Sequence, residues 1–288
     1  MPNAGVCALC QRGADLRLSH IVPSFFGTYL KETSATGYLR GAIAPNLRRQ
    51  DLLKRRLLCD CCEGRFGAWE KEYKEQAFDA VQDDNFNGLT YGSWLLPFLV
   101  SISWRVLVTE QKELLEAHPQ FSRHIGVTLE NWRRFLLEER KKPQSEHHLF
   151  IFAGMPSAVP SGSHAGSLDY IYRAIDATTA VGKRSFFVYT KALRSLIISP
   201  VLPSFPSGLT NTRVHAGHGR LVSPQKIAMP GFGGFLNSRI EQIVDRQLSE
   251  KQKAKIEKTL LLNPDKALAS ESFKVHLARE RLIPRSRQ

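Results

Sequence analysis

Two segments, Cys7-Ala8-Leu9-Cys10 and Cys59-Asp60-Cys61-Cys62, lie on either side of Ser19-His20-Ile21-Val22-Pro23, and this arrangement predicts a metal-stabilised N-terminal part. Two Cys-x-x-Cys hairpins can gather four thiolates around one Zn²⁺ ion in tetrahedral geometry. A closed site of this kind is structural, so we look for chemistry in the residues between the hairpins. The predicted zinc ligands are Cys7, Cys10, Cys59 and Cys62.

Disulfide bonds and unrelated buried thiols are the alternative interpretations of these cysteines. Disulfides require an oxidising compartment. Residues 1–5 have no basic segment followed by an apolar core, which argues against a signal peptide. We therefore expect a cytoplasmic location and zinc rather than disulfides. Cys61 is too close to Cys59 for a comfortable ligand pair, and we interpret it as a small side chain in the hairpin or a spare thiol.

The composition points to a polyanionic partner. The chain has 288 residues and a formal net charge of +13. A surplus of this size attracts polyanions by long-range steering and counterion release, so we predict nucleic acid, with DNA favoured, over an acidic protein or a membrane surface. The most apolar stretch, 94–104, is shorter than the ~20 residues of a membrane-spanning helix. A homodimer or a partner protein remains open.

A strand and a helix are predicted on either side of a basic run. Alternating apolar and polar residues over 16–22 predict a short strand that ends at Pro23 and carries Ser19 and His20. A stripe of apolar residues at helical spacing follows Cys62, which places Glu63 in the first turn, where the helix dipole favours a carboxylate. We expect the His20 imidazole to face Glu63. The stripe consists of Phe66, Trp69, Tyr73 and Ala77.

The rest of the chain predicts helices, then strands, then helices again. The predicted helices are 94–117, 128–142, 236–260 and 270–282, and the predicted strands are 148–152, 168–178, 185–190 and 194–199. The chain is therefore predicted to be an α+β protein with three parts. They are a zinc-stabilised module at 1–85, a helical segment at 86–146, and a mixed α+β region at 147–288 for target recognition or regulation.

In order and chemistry, the N-terminal motifs resemble the HNH endonuclease family, the zinc-stabilised branch of the ββα-metal nucleases. The family has a Cys-x-x-Cys hairpin, a strand with an acid, His, an apolar residue and Pro, and a second Cys-x-x-Cys that opens a helix. This chain resembles a variant subgroup with Ser-His-Ile-x-Pro and Cys-x-x-Cys-Glu. The resemblance covers roughly the first quarter of the chain and implies a treble-clef-like ββα-metal module there.

The resemblance also implies roles for three residues. His20 corresponds to the general base that activates water against a phosphodiester, and imidazole titrates near neutral pH, which suits a base. Ser19 stands where the family has Asp or Glu, and Glu63 stands where it has Asn or His. Carboxylate is the better ligand for Mg²⁺ or a similar divalent ion, so Glu63 would be the main ligand and Ser19 a secondary one. The implied activity is metal-dependent nucleic-acid cleavage in a toxin or defence setting.

Basic residues between the hairpins are candidates for phosphate contacts, which position nucleic acid without reading its sequence. They are Arg40, Arg48, Arg49, Lys54 and Arg55, with Asp51 the only opposing charge in the run. A solvated basic face is the alternative. Glu70 lies about 10 Å beyond Glu63 at 1.5 Å per residue, which is too far to share its metal ion, and we interpret it as a salt-bridge partner.

Two other functions remain open. Because Ser19 replaces the acid, the module is alternatively a catalytically inactive nucleic-acid-binding or protein-interaction unit stabilised by zinc. A third interpretation makes zinc a folding staple for a protein whose function lies in residues 90–288. Cleavage assays with and without His20 separate the first two interpretations.

Overall fold

The computed structural model describes residues 3–84, 86–159, 163–183, 185–244 and 247–282. Within these ranges helices are combined with antiparallel sheets, so the α+β class predicted from the sequence is confirmed. None of the described helices is long and apolar enough to cross a membrane. The end of the predicted region 147–288, residues 283–288, lies outside the described part of the chain.

An antiparallel sheet and the helix after it frame the N-terminal part. The elements are β1 (Ala4–Val6), β2 (Gly13–His20), α1 (Ser24–Glu32), β3 (Leu39–Arg40), β4 (Arg48–Arg49), β5 (Lys54–Cys59) and α2 (Asp60–Tyr73). β2 lies between β1 and β5 in one sheet, whereas β3 and β4 form a separate hairpin. The strand predicted over 16–22 is therefore present, although it begins earlier and ends at His20.

Helix α2 carries the predicted apolar stripe. It begins at Asp60, slightly before the predicted start, and Glu63 lies in its first turn as predicted. The carboxylates of Asp60 and Glu63 both lie at the positive end of the helix dipole, which stabilises their negative charge. Phe66 and Tyr73 are buried, so the stripe faces the core.

The middle of the chain is mainly helical. Its elements are a π-helical turn (Lys74–Phe78), α3 (Asp79–Gln82), β6 (Leu89–Tyr91), α4 (Leu95–Ala117), a 3-10 turn (Pro119–Phe121) and α5 (Ser122–Leu136). The helix predicted over 94–117 is confirmed as α4, and α5 begins earlier than the predicted 128–142. The first half of α4 is buried because it packs against α2, α5 and the sheet that follows.

Four antiparallel strands form the main sheet of the C-terminal region. The elements are β7 (His148–Ile151), α6 (Ser167–Arg173), β8 (Ile175–Val181), β9 (Phe186–Ala192) and β10 (Ser195–Leu202). The strand order is β7-β10-β9-β8. β9 and β10 are buried almost throughout, and α4 packs on one face of the sheet. Burial on both faces explains why these strands are apolar runs without strict alternation.

Short strands and helices complete the chain. They are β11 (Leu209–Thr210), β12 (Gly219–Leu221), β13 (Lys226–Ile227), α7 (Phe232–Val244), α8 (Glu250–Leu262), α9 (Pro264–Ala269) and α10 (Glu271–Leu282). α7 packs on the second face of the main sheet, where the Phe235 ring lies 5.0 Å from the Tyr189 ring. The single helix predicted over 236–260 is divided into α7 and α8, and residues 245–246 lie outside the described ranges.

One predicted strand is partly a helix. The sequence predicts a strand over 168–178, but the structure has helix α6 up to Arg173 and strand β8 only from Ile175. Leu168 and Tyr172 are buried on one face of α6 and pack with Val275 of α10. Packing against another helix overrides the strand preference of a segment rich in Tyr and Ile.

The segment 33–53, which we call the insert, is anchored to the C-terminal region. The backbone N–H of Glu271 donates to the carbonyl of Thr33 at 3.0 Å. The backbone N–H of Ser249 donates to Asn46 Oδ1 at 2.9 Å. Residues near 249 and 271, which are far from the insert in sequence, therefore lie next to it in the fold.

A buried polar network joins α4, β10 and the start of β7. His147 Nδ1 and Ser199 Oγ are 2.7 Å apart, and Ser199 Oγ is 2.7 Å from Ser103 Oγ. All three side chains are fully buried. Burial, with a smaller effect of His148, lowers the pKa of His147 to about 3. The imidazole is therefore neutral in the folded protein at physiological pH.

We expect this histidine to destabilise the protein in acid. Below pH 6.5 the unfolded chain protonates His147 and the folded chain does not, so stability is lost as the pH falls from 6.5 toward 3, by about 1.4 kcal/mol per pH unit. In urea unfolding, the stability difference between wild type and His147→Gln should shrink by about 2 kcal/mol between pH 7 and pH 5. Loss of metal in acid would affect both proteins equally, so it cancels in the difference between their unfolding free energies. A difference that does not change with pH would contradict the prediction.

Candidate functional site

The four predicted zinc ligands lie together. The sulfur atoms of Cys7, Cys10, Cys59 and Cys62 are all within 4.8 Å of one another. Cys10 Sγ and Cys59 Sγ are 3.8 Å apart, and tetrahedral Zn²⁺ with Zn–S bonds of about 2.3 Å requires a sulfur–sulfur separation of about 3.8 Å. All cysteines are free, and Cys61 is exposed and outside the cluster. The cluster therefore has the donor set and the dimensions for a metal ion such as zinc.

The cluster ties two chain segments together. Cys7 and Cys10 lie in the turn between β1 and β2, whereas Cys59 ends β5 and Cys62 lies in the first turn of α2. The Ala8 N–H donates to the carbonyl of Leu57 at 3.0 Å, so backbone hydrogen bonding supports the same junction. A metal ion here would fix β2 relative to α2, and these two elements carry the predicted catalytic residues.

The surroundings of the thiols affect them differently. Burial would raise the pKa of Cys7, but backbone N–H groups, including that of Cys59 at 3.3 Å, lower it to about 7. Burial and the neighbouring thiols raise the pKa of Cys62. Metal binding must displace the thiol protons, so the affinity of the cluster for a metal ion depends on pH.

Ser19 and Glu63 are brought into contact. Ser19 is near the end of β2 and fully buried. Its Oγ donates a hydrogen bond to Glu63 Oε2 at 2.6 Å. The pair thus places a hydroxyl and a carboxylate together at the junction of β2 and α2. Both are oxygen donors of the kind that hard divalent cations bind.

The side chain of His20 contacts Asp51 of the insert, and its predicted orientation toward Glu63 stays a prediction. His20 Nε2 lies 2.7 Å from Asp51 Oδ1. A carboxylate accepts the Nε2–H, which leaves the lone pair on Nδ1. The nitrogen that could accept a proton is therefore Nδ1.

Asp51 is held in its charged form. Burial would raise the pKa of Asp51, but hydrogen bonds from Lys54, from His20 and from the Leu52 N–H hold it well below its usual range. Lys54 forms an ion pair with the second carboxylate oxygen. Asp51 is consequently ionised at any physiological pH and orients the His20 ring throughout that range.

A buried arginine holds the backbone of this histidine. Arg105 of α4 is buried, and its Nη1 donates to the carbonyl of His20 at 2.7 Å. Its Nη2 donates to Glu70 Oε1 at 2.8 Å. Glu70 is thus a salt-bridge partner as predicted, and its partner lies on α4. The pair connects α2, α4 and the end of β2.

We expect Glu70→Ala to cost about 3 kcal/mol of unfolding free energy, because it leaves the buried Arg105 guanidinium without a counter-charge. Glu75→Ala is the matched control, since Glu75 is exposed and its ion pair with Lys71 spans 4.0 Å. Its effect should stay within about 0.5 kcal/mol. Urea unfolding of both variants measures the two losses of unfolding free energy. Equal losses would show that the Glu70–Arg105 pair contributes no more to stability than an exposed ion pair.

The predicted phosphate-binding residues differ in availability. Arg48, Arg49 and Arg55 are exposed. Lys54 is engaged with Asp51, and Arg40 donates to the carbonyl of Pro45 at 2.6 Å. The first three side chains are therefore accessible to a large partner such as nucleic acid, and the other two are partly committed.

Sequence reasoning missed three residues of this region. In the sequence, Asp51 is only the charge that opposes the basic run, although a lone acid in such a run marks a special position. Arg105 lies in an apolar helix, where a charged residue also signals a buried partner. Tyr38 gave no signal, yet the Arg48 guanidinium lies 4.3 Å from the centre of its ring.

No protein-family model, curated protein or solved structure matches this chain. The function is therefore inferred from the residues themselves. The relevant features are the four-cysteine cluster, the Ser19–Glu63 contact, the His20–Asp51 pair and the exposed arginines.

Proposed function

We propose that the protein is a metal-dependent endonuclease of the HNH type that hydrolyses phosphodiester bonds of nucleic acid, with DNA favoured. The observation that carries this proposal is the pairing of Ser19 Oγ with Glu63 Oε2 at 2.6 Å, beside a histidine oriented by Asp51. The N-terminal module would then be a treble-clef-like ββα-metal unit. A role in bacterial defence or as a toxin belongs to the same proposal.

The four thiolates would hold a structural zinc ion. They form a closed set of four ligands, which leaves no position for water or substrate. The catalytic ion would be a second one, Mg²⁺ or a similar divalent ion, bound by Glu63 with Ser19 as secondary ligand. When bound, it supplies positive charge that stabilises the transition state of phosphoryl transfer.

His20 would be the general base. Its Nδ1 accepts a proton from water, the water oxygen forms a bond to phosphorus, and the ester bond on the opposite side breaks. The leaving oxygen takes a proton from solvent. Asp51 stabilises the imidazolium that forms, because its carboxylate lies 2.7 Å from Nε2 and remains ionised.

The exposed arginines would position the substrate. Arg48, Arg49 and Arg55 contact phosphates, and the net charge of +13 increases the rate of encounter with a polyanion. Such contacts carry no sequence information, so the proposed enzyme has no sequence preference from these residues. Their contribution should fall as the salt concentration rises.

The test is a cleavage assay with the zinc-loaded full-length protein. Supercoiled DNA, linear DNA and RNA are each incubated with Mg²⁺, Mn²⁺ or Ni²⁺. A separate control reaction contains EDTA instead of the added ion, for a time too short to remove the zinc. We expect cleavage of DNA that requires the added divalent ion. Intact substrates in every metal would overturn the proposal.

A second function is favoured by one observation. Ser19 is fully buried and its hydroxyl already occupies Glu63 Oε2, so that an incoming ion must displace this hydrogen bond. The alternative is a catalytically inactive, zinc-stabilised protein that binds nucleic acid or another protein. Binding of DNA without cleavage in all three metals would support this alternative.

A further inference from the structure

A cleft of about 390 Å³ lies between the insert and the C-terminal region. This volume lies within the range of small-molecule sites, which is about 300–1,000 Å³. Much of its wall is apolar, and the main apolar residues are Leu30, Leu39, Leu52, Ile175 and Ile243. Asp51 also lines the cleft, so the cleft adjoins the carboxylate that holds His20.

The charged residues of the cleft leave a positive surplus. Its acids are Asp51 and Asp169, and both have partners already. Asp51 is paired with His20 and Lys54, and Asp169 accepts from Arg279 Nη1 at 2.8 Å. The lining arginines, in contrast, have no carboxylate partner among the described residues. They are Arg40, Arg49 and Arg173.

Arg173 is partly buried and lines the cleft. Its Nη1 donates to Thr33 Oγ1 at 2.8 Å and its Nη2 donates to the carbonyl of Leu30 at 2.9 Å, so both acceptors are neutral. Burial lowers the pKa of Arg173 to about 10. Asp169 and Glu271 offset part of this burial at longer range, but neither forms an ion pair with Arg173, so an anionic ligand in the cleft would offset the remaining cost.

Arg40 and Arg49 converge on the same cleft from the β3–β4 hairpin. Arg40 is held by neutral acceptors, the carbonyl of Pro45 at 2.6 Å and Gln252 Oε1 at 3.2 Å. Arg49 pairs with Leu39 through the β3–β4 ladder, but its exposed side chain forms no hydrogen bond or ion pair within the described residues. A Cβ at Gly41 would lie 3.2 Å from Arg49 Nε, so the guanidinium lies close against the glycine backbone. Planar guanidinium groups are suited to bidentate phosphate binding.

We propose that this cleft binds a nucleoside phosphate. Arg40, Arg49 and Arg173 bind the phosphate, and the apolar wall receives the base and the ribose. The ligand is either a free nucleotide or one nucleotide of a bound nucleic-acid strand, since both present the same chemistry. The inference goes beyond cleavage, because the cleft can bind a nucleotide whether or not His20 acts as a base.

Calorimetric titration of the zinc-loaded full-length protein tests the site. The probes are AMP, GMP, CMP and UMP, with inorganic phosphate for comparison. We expect at least one nucleotide to bind with a Kd below about 1 mM, and at least tenfold more tightly than inorganic phosphate. Arg49→Gln should weaken that binding at least tenfold, as expected for the loss of one charge-assisted phosphate contact. Arg49 is exposed, so this variant should fold normally.

Arg12→Gln is the charge-matched control. Arg12 is exposed, does not line the cleft and does not belong to the basic run, so nucleotide affinity should change less than twofold. The proposal is overturned if no nucleotide binds, if phosphate binds as tightly as the nucleotides, or if both variants weaken binding equally. Competition with a short DNA strand distinguishes the two sources. A strand that displaces the nucleotide places a substrate nucleotide in the cleft, and a strand that binds together with it indicates a free nucleotide ligand.

Discussion

Replacing Cys62 with serine is expected to abolish metal binding at the four-cysteine cluster and to unfold the N-terminal module. Cys62 is a buried member of the four-sulfur cluster that joins β2 to α2. Structural zinc contributes about 10–16 kcal/mol of apparent binding free energy, and this free energy is available only to the folded chain. Loss of several kcal/mol should lower the unfolding temperature by about 10 °C or more, at about 2–4 °C per kcal/mol.

The adjacent cysteine provides the control. Cys61 is exposed and lies outside the cluster, so Cys61→Ser should retain one zinc ion per chain and the wild-type unfolding temperature. Elemental analysis of metal content and thermal unfolding followed by circular dichroism measure both effects. Wild-type metal content and stability in Cys62→Ser would show that the cluster is not a zinc site, and the junction of β2 and α2 would need another explanation.

His20→Ala is expected to reduce the rate of DNA cleavage at least about 100-fold, the usual contribution of a general base. Asp51→Asn should reduce the rate as well, because the amide no longer fixes the proton on Nε2 as the carboxylate does. The rates are measured in single-turnover reactions with Mn²⁺. Zinc content and unfolding temperature are determined for each variant, so that a folding defect is not mistaken for a catalytic one.

His218→Ala is the matched control for this experiment. His218 is exposed and lies outside the β2–α2 junction, so its replacement should leave the cleavage rate unchanged. Equal cleavage by wild type and a folded His20→Ala protein would remove His20 from the mechanism. In that case, Asp51 and Arg105 would be structural partners of a non-catalytic imidazole.

Much of the secondary structure follows from local sequence patterns. The strand that carries Ser19 and His20, the helix after the second cysteine pair and the buried helix α4 are all present. The strand prediction was wrong at 168–173, which form helix α6. A segment rich in Tyr and Ile suits either a strand or a buried helix, so its local sequence does not choose between them. The packing of Leu168 and Tyr172 against α10 decides this case.

The candidate site was predicted only in part. The cysteine set could be chosen from spacing, because both hairpins are local turns and zinc requires a fixed number of ligands. The orientation of His20 could not be chosen, since a small shift of register reverses the face on which a strand residue lies. Its actual partner, Asp51, belongs to a segment whose path depends on contacts with the C-terminal helices.

Residue chemistry over short distances was sufficient for the thiol hairpins, for the carboxylate in the first turn of α2 and for the positive charge that favours a polyanion. Packing of the whole chain was needed to pair Ser19 with Glu63, His20 with Asp51, and Arg105 with the His20 carbonyl. These partners are 44, 31 and 85 positions apart. Contacts at such separations form only when burial of the surrounding core offsets the chain entropy lost in closing the loops, and that balance is a property of the folded molecule.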